Sequence, residues 1–148
     1  MDRVADHLGI AIEQADLGKD CSGVLIRQRG RAVIGVNRRD FRTRQRFTVA
    51  HEIGHFVLHE QQAYVDSEYA MSFRDLESGS GSKTEEIEAN RFAAALLMPE
   101  SLVKKEFNAR RFDLAGDDDE LRLLAEKFGV SAQAMAIRLS FVLRGHVR

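Results

Sequence analysis

The sequence has a single cysteine, Cys21, among its 148 residues. One thiol excludes an internal disulfide framework and is typical of a protein in a reducing compartment. We interpret Cys21 as a small, partly buried side chain rather than as a ligand or a nucleophile. The chain also lacks an excess of either charge, with a formal net charge of −1. The overall charge therefore gives no indication of binding to nucleic acid or to a membrane surface.

Long apolar runs are missing as well. The longest, Phe92 to Met98, is far shorter than the about 20 apolar residues that a membrane-spanning helix needs. The first ten residues, MDRVADHLGI, include acidic side chains and lack the apolar segment of a secretory signal. We therefore expect a cytoplasmic protein. The length and the composition, 44% hydrophobic and 30% charged, predict a single globular domain over residues 1–148.

The most informative segment is RFTVAHEIGHFVLHE, Arg46 to Glu60. Positions four apart lie on one face of a helix, about 6 Å apart along its axis. His51 and His55 can therefore offer imidazole nitrogens to one metal ion. Glu52, beside them, is placed to take a proton from a water that the metal activates. We predict one helix from about Thr43 to His59. Taken alone, the pattern also fits two surface histidines or two hydrogen-bonded core histidines.

A second helix is predicted to supply a carboxylate. Ser82-Lys83-Thr84-Glu85 has the pattern of a capping box, which predicts that the helix begins there, after a flexible glycine–serine run. Glu86 and Asn90 are four apart and share a face, so Glu86 could bind a metal while Asn90 orients a ligand imidazole. Glu88 points about 160° away from Glu86. Alternatively, these carboxylates only favour the positive end of the helix dipole.

RFTVAHEIGHFVLH, followed about thirty residues later by EEIEANRFAAALLMP, resembles the ImmA/IrrE family of metallopeptidases. These proteins are gluzincin-like, and the resemblance covers most of the chain. It implies a zinc site, with manganese as the alternative ion, in which His51 and His55 are ligands and Glu52 is the general base. A glutamate of the EEIEAN segment is then the third ligand. In related gluzincins that ligand lies four residues before an Asp or Asn, which selects Glu86 and leaves Glu88 as the fallback.

Three residues are expected to lie beside the ligands and support them. Asn90 is one, and Glu88 is another if it is not itself a ligand. His59 lies a further ~6 Å along the helix from His55, too far for it to join the same ligand group. The donor that stabilises the oxyanion is left open between His59, a tyrosine and a backbone N–H.

The predicted fold class is α+β: a small zincin-like domain, mostly helical, with an N-terminal hairpin or small sheet. Gly23–Gln28 and Ala32–Val36 are the hairpin strands, and Ile10–Ile12 is a further candidate strand. Residues from about 119 to 143 resemble a helix-turn-helix pair around Gly129. Its second helix has few base-contacting side chains, mainly Gln133 and Arg138, and its apolar residues are expected to pack. We therefore predict a structural helix pair.

The resemblance also implies a function: an intracellular metallo-endopeptidase that cleaves a helix-turn-helix transcriptional repressor of a stress, phage or mobile-element system. We expect no membrane association and no direct binding of nucleic acid. One alternative is a metal-stabilised module that sequesters a repressor or antitoxin without cutting it. The other is a DNA-binding regulator that uses the arginines between Arg27 and Arg46, or the helix pair. A purely structural metal site does not need Glu52, which argues against both.

Overall fold

Three short apolar segments near the N-terminus pair into a sheet. A computed structural model describes residues 1–28, 30–59, 80–110 and 118–144. In it β1 is Ile10–Ala15, β2 is Gly23–Gln28 and β3 is Arg31–Asn37. β3 is central, with β1 parallel to it on one side and β2 antiparallel on the other. The predicted hairpin is confirmed, and Gly30 in its turn has a φ of 80°, which glycine adopts without steric cost.

Six helices make up most of the rest of the described chain, so the predicted α+β class is confirmed. The helices are α1 (Asp2–His7), α2 (Arg42–Leu58), α3 (Ser80–Leu97), α4 (Glu100–Arg110), α5 (Asp118–Phe128) and α6 (Ala132–Arg144). The bounds of α2 agree with the predicted metal-binding helix to one residue at each end. No helix within the described ranges is long and apolar enough to cross a membrane.

The predicted start of the second helix is wrong. α3 begins at Ser80, so Ser82 lies inside the helix and is not its capping residue. Serine is only mildly unfavourable in a helix and Gly81 costs about 1 kcal/mol, so a helix formed by the apolar residues that follow can extend back through both. Residues 77–79 of the predicted flexible run lie outside the described residues. α5 begins at Asp118, within one residue of the predicted start of the helix pair near residue 119.

The chain divides into two compact units, Met1–Ala93 and Ala94–Arg148, and the single domain stays a prediction. In the first unit, α2 packs its apolar side against the sheet. The shared core is Ala5, Ile10, Leu25, Ala32, Ile34, Val36, Val49 and Ile53. Ile34 of β3 and Ile53 of α2 are fully buried, and each contributes about 1.5–3 kcal/mol. This contact fixes the rotation of α2 about its axis, and with it the direction of its histidines.

In the second unit, the turn between α5 and α6 has the predicted chemistry. Gly129 has a φ of 64° and donates to the Glu126 carbonyl, while Val130 donates to the Ala125 carbonyl. Together these bonds form a Schellman motif, which ends α5. The hydroxyl of Ser131 then accepts from the N–H of Ala134 at 3.1 Å and caps α6.

The prediction that the apolar side chains of α6 pack is only partly correct. Met135, Leu139 and Val142 are buried, whereas Ile137 is 52% and Phe141 64% exposed. The reason is rotational: residues 137 and 141 share a face that lies nearly opposite the buried residues of the same helix.

Candidate metal centre

Two histidines of α2 converge at one point. The Nε2 atoms of His51 and His55 lie 3.0 Å apart, and the two rings meet edge to face with centroids 4.6 Å apart. Both side chains are largely buried, with 13% and 21% of their surfaces exposed. The four-residue spacing brings the two rings onto one face of α2. The packing of α2 against the sheet directs this face away from the core that the helix shares with the sheet.

Glu86 of α3 completes the group. Its Oε1 lies 3.2 Å from His55 Nε2 and its Oε2 lies 3.4 Å from His51 Nε2. The ligand atoms of the three residues all lie within 4.8 Å of one another, and no other such group of His, Cys, Asp or Glu occurs among the described residues. Two imidazoles and one carboxylate are a common ligand set of catalytic zinc sites, which keep a further position open. The residues present therefore fit a divalent ion such as zinc.

The carboxylate reaches the histidines because α2 and α3 approach closely. A Cβ atom added to Gly54 would lie 3.1 Å from Cα of Ala89 and 3.2 Å from Cδ1 of Phe92. Ala89 is fully buried, and Glu86 lies about one turn before it on α3. Sequence reasoning missed this crossing. The available signal was Gly54 itself, because a glycine inside an apolar helix costs stability unless a close approach requires it.

The electrostatics of the group favour a cation. Hydrogen bonds with His51 and His55, together with the charges of these imidazoles, hold the pKa of Glu86 well below its usual range. Burial is the largest single influence on the pKa of His51 and acts to lower it. The hydrogen bond with Glu86, the charges of Glu52 and Glu86, and the bond with Asn90 together outweigh burial and raise that pKa. The net field at the His51 imidazole is therefore negative.

Asn90 has the position that its spacing from Glu86 predicts. Its Oδ1 lies 3.0 Å from Nδ1 of His51. An amide oxygen only accepts, so in neutral His51 the proton of this bond sits on Nδ1. The lone pair then remains on Nε2, which faces His55 and Glu86. This is the tautomer that a metal-ligating histidine needs.

His59 and Glu88 lie together at one side of the ligand group. Nε2 of His59 lies 3.3 Å from the backbone carbonyl of Glu85 and 3.9 Å from Oε2 of Glu88. The ring centroid of His59 is 5.3 Å from that of His55. Of the two glutamates considered, the structure thus brings Glu86 to the histidine pair. The individual roles of these residues stay predictions.

Glu52 lies beside the ligand group without belonging to it. Its charge acts on His51, so the two side chains are close. Its Oε1 is 3.6 Å from the position that a Cβ of Gly23 would take, which puts the carboxylate next to β2. The Glu52 carboxylate therefore lies near both His51 and β2, and its predicted role as general base stays a prediction.

Several of the arginines that suggested DNA binding are engaged within the protein. Arg38 and Arg39 form ion pairs with Asp16 at 3.5 and 2.6 Å, and Arg44 pairs with Asp40 at 3.3 Å. These contacts offset part of the positive charge along residues 38–46. The arginine-rich segment is therefore less cationic than its sequence indicates.

The fold is a small α+β domain, and in it His51, His55 and Glu86 lie close enough together to hold a metal ion. Residues 5–140 match the family model described as Peptidase_M78, the IrrE N-terminal-like domain. The match spans most of the chain, and the protein belongs to this peptidase family. The predicted resemblance to ImmA/IrrE proteins is thereby confirmed. No curated protein matches the chain.

Proposed function

We propose that the protein is a metal-dependent endopeptidase that uses zinc or manganese and cleaves a helix-turn-helix transcriptional repressor in the cytoplasm. The observation that carries the enzymatic part is the convergence of His51, His55 and Glu86 in a member of a peptidase family. The repressor as substrate follows from the resemblance of the sequence to ImmA/IrrE proteins. It is the part of the proposal that depends most on experiment.

The residues divide the chemistry between them. His51, His55 and Glu86 would hold a divalent ion, which would supply the Lewis acidity that activates a water molecule. Glu52 takes the proton of the attacking water and passes it to the amine that leaves when the peptide bond breaks. Asn90 holds His51 in the tautomer that presents Nε2.

The sheet offers a place for the substrate. β2 forms one edge of the described sheet, and its antiparallel partner β3 covers only one side of it. An extended peptide can add to such an edge through backbone hydrogen bonds. Gly23 of β2 lies next to Glu52, so a peptide paired with this strand would pass beside the general base.

The DNA-binding alternative gains no support. Arg138, one of the two candidate base-reading residues of α6, donates from Nε to the Met98 carbonyl at 2.9 Å. The outward face of α6 carries the apolar side chains Ile137 and Phe141 rather than polar ones. A recognition helix reads base edges mainly through polar side chains, so α6 is better explained as part of a protein-packing unit.

The test is a cleavage assay with the purified protein, added zinc or manganese, and the helix-turn-helix repressor encoded by the adjacent gene. Intact mass reports the fragments. We expect one metal-dependent cut, absent from Glu52→Gln although that variant still binds metal. Glu126→Gln, which alters an exposed carboxylate of α5, is the matched control and should cut normally.

Other outcomes separate the alternatives. Cleavage that persists in Glu52→Gln contradicts the assigned base. An intact repressor in a stable complex favours the sequestering module. Comparison of Glu86→Gln with Glu88→Gln identifies the third ligand: we expect loss of metal in the first and its retention in the second.

A further inference from the structure

A strand residue outside the ligand group holds the end of the metal-binding helix. Nη2 of Arg27, on β2, lies 2.6 Å from the Phe56 carbonyl oxygen and 3.2 Å from that of His55. Its Cζ is also 4.5 Å from the centroid of the Phe56 ring, a cation–π distance. The guanidinium thus contacts both the backbone and a side chain of the last turn of α2.

Arg27 satisfies backbone carbonyls at the C-terminal end of α2. The last four carbonyls of a helix have no N–H partner within the helix, and α2 ends at Leu58. The His55 carbonyl accepts from the N–H of His59 at 3.1 Å, and Arg27 donates to it and to the carbonyl of Phe56. Hydrogen bonds from a charged donor are shorter and stronger than neutral ones, and a cation is favourable at the negative end of a helix. Arg27 caps α2 from the neighbouring strand.

We infer that Arg27 is a positioning residue for the metal centre, because it fixes the helical turn that carries His55. The inference rests on the proposed function. His51 lies a full turn inside the helix and is also held by Asn90. His55 lies in the last turn, where helices fray, and metal ligands tolerate displacements of only about 0.2 Å. Loss of Arg27 therefore acts on the site mainly through His55.

The experiment titrates the metal-free protein with Co²⁺ alone, whose visible absorption depends on the number and geometry of its ligands. Arg27→Met removes the donors and the charge but keeps most of the side-chain length. Arg27→Lys keeps a cation without the planar fork. Arg31→Met removes an exposed arginine from the same hairpin and serves as the matched control. Thermal unfolding of each metal-free variant is measured in parallel.

We expect Arg27→Met to bind Co²⁺ about 10–100-fold more weakly and with an altered absorption band. Mutations of residues that hold metal ligands in position typically have an effect of this size. Arg27→Lys should fall between Arg27→Met and the unaltered protein, and Arg31→Met should match the unaltered protein. A folded Arg27→Met with unchanged Co²⁺ affinity and spectrum overturns the inference. If Arg27→Met does not fold, Arg27→Lys decides: weaker binding supports the role, and unaltered binding overturns it.

The outcome also separates this inference from the proposed function. An unaltered protein that binds no Co²⁺ refutes the metal centre and the role of Arg27 with it. An unaltered protein that binds Co²⁺, alongside an Arg27→Met variant that binds it equally well, refutes only the role of Arg27.

Discussion

Gly54→Ala tests whether the contact between α2 and α3 determines the metal centre. The added Cβ would lie 3.1 Å from Cα and 3.2 Å from the carbonyl oxygen of Ala89, closer than the 3.4–4 Å of ordinary contact. Both atoms belong to the backbone of α3, so they cannot rotate away as a side chain can. The ring of Phe92, also at 3.2 Å, is able to turn. α3 must therefore recede by a few tenths of an ångström.

The consequences for stability and for metal binding differ in size. Overpacking a core costs about 1–3 kcal/mol, and replacing glycine by alanine within a helix returns about 1 kcal/mol. The metal-free variant should thus lose at most about 2 kcal/mol. Glu86, about one turn from Ala89, moves with α3, and a displacement of a few tenths of an ångström exceeds the tolerance of a metal ligand. We expect zinc affinity to fall about 10–100-fold.

The assay combines a zinc titration against a competing chromophoric chelator with urea unfolding of the metal-free protein. Thr43→Ala, at an exposed position in the first turn of α2, controls for helix propensity. Adding Ala89→Gly to the Gly54→Ala variant should not restore affinity, since the close atoms are Cα and the carbonyl oxygen rather than Cβ. Zinc affinity equal to that of the unaltered protein would show that this crossing does not determine the position of Glu86.

Three further predictions concern the surroundings of the ligands. The pKa of His51 is raised above its ordinary value of 6.5 and that of Glu86 is lowered from 4.5, so their interaction stabilises the metal-free protein most between these two values. As pH rises above 6.5, that stability should fall because His51 loses its proton, while zinc affinity should rise. Urea unfolding in the presence of a chelator checks the first direction, and zinc titration checks the second. Asn90→Ala should weaken zinc binding about tenfold with little change in unfolding free energy, because it removes only the partner of Nδ1; an unchanged zinc affinity would contradict this role. Asn37→Leu should lower the free energy of unfolding, measured in urea, by about 2–3 kcal/mol, because buried Asn37 donates to two carbonyls and accepts one N–H. A decrease below about 1 kcal/mol would contradict this structural role of Asn37.

The sequence predicts those parts of the site that depend only on spacing within a single helix. The spacing of His51 and His55 fixes their common face through the helical period, whatever the surrounding fold. The same period relates Glu86 to Asn90. For this reason the two helices and their polar faces could be read from the sequence before any tertiary contact was known.

What the sequence left open depends on contacts between distant segments. The choice between Glu86 and Glu88 depends on the rotation of α3 against α2, which the approach of Gly54 to Ala89 determines. From the sequence alone, Arg27 was only one of the arginines between Arg27 and Arg46 that could contact DNA, whereas its partners lie 28 and 29 residues away in the chain. No local pattern identifies such a partner, because any exposed strand arginine has the same sequence environment.

If the proposed metal centre binds its ion, the close crossing of α2 and α3 makes metal affinity a measure of tertiary structure. α2 alone would offer two ligands, and the third would be in place only when α3 is packed against α2. An ion that binds only the docked arrangement stabilises it by mass action, by about 2.7 kcal/mol at a free concentration one hundred times the Kd. The supply of metal would then control how firmly the two helices are held together, as well as whether the chemistry can occur.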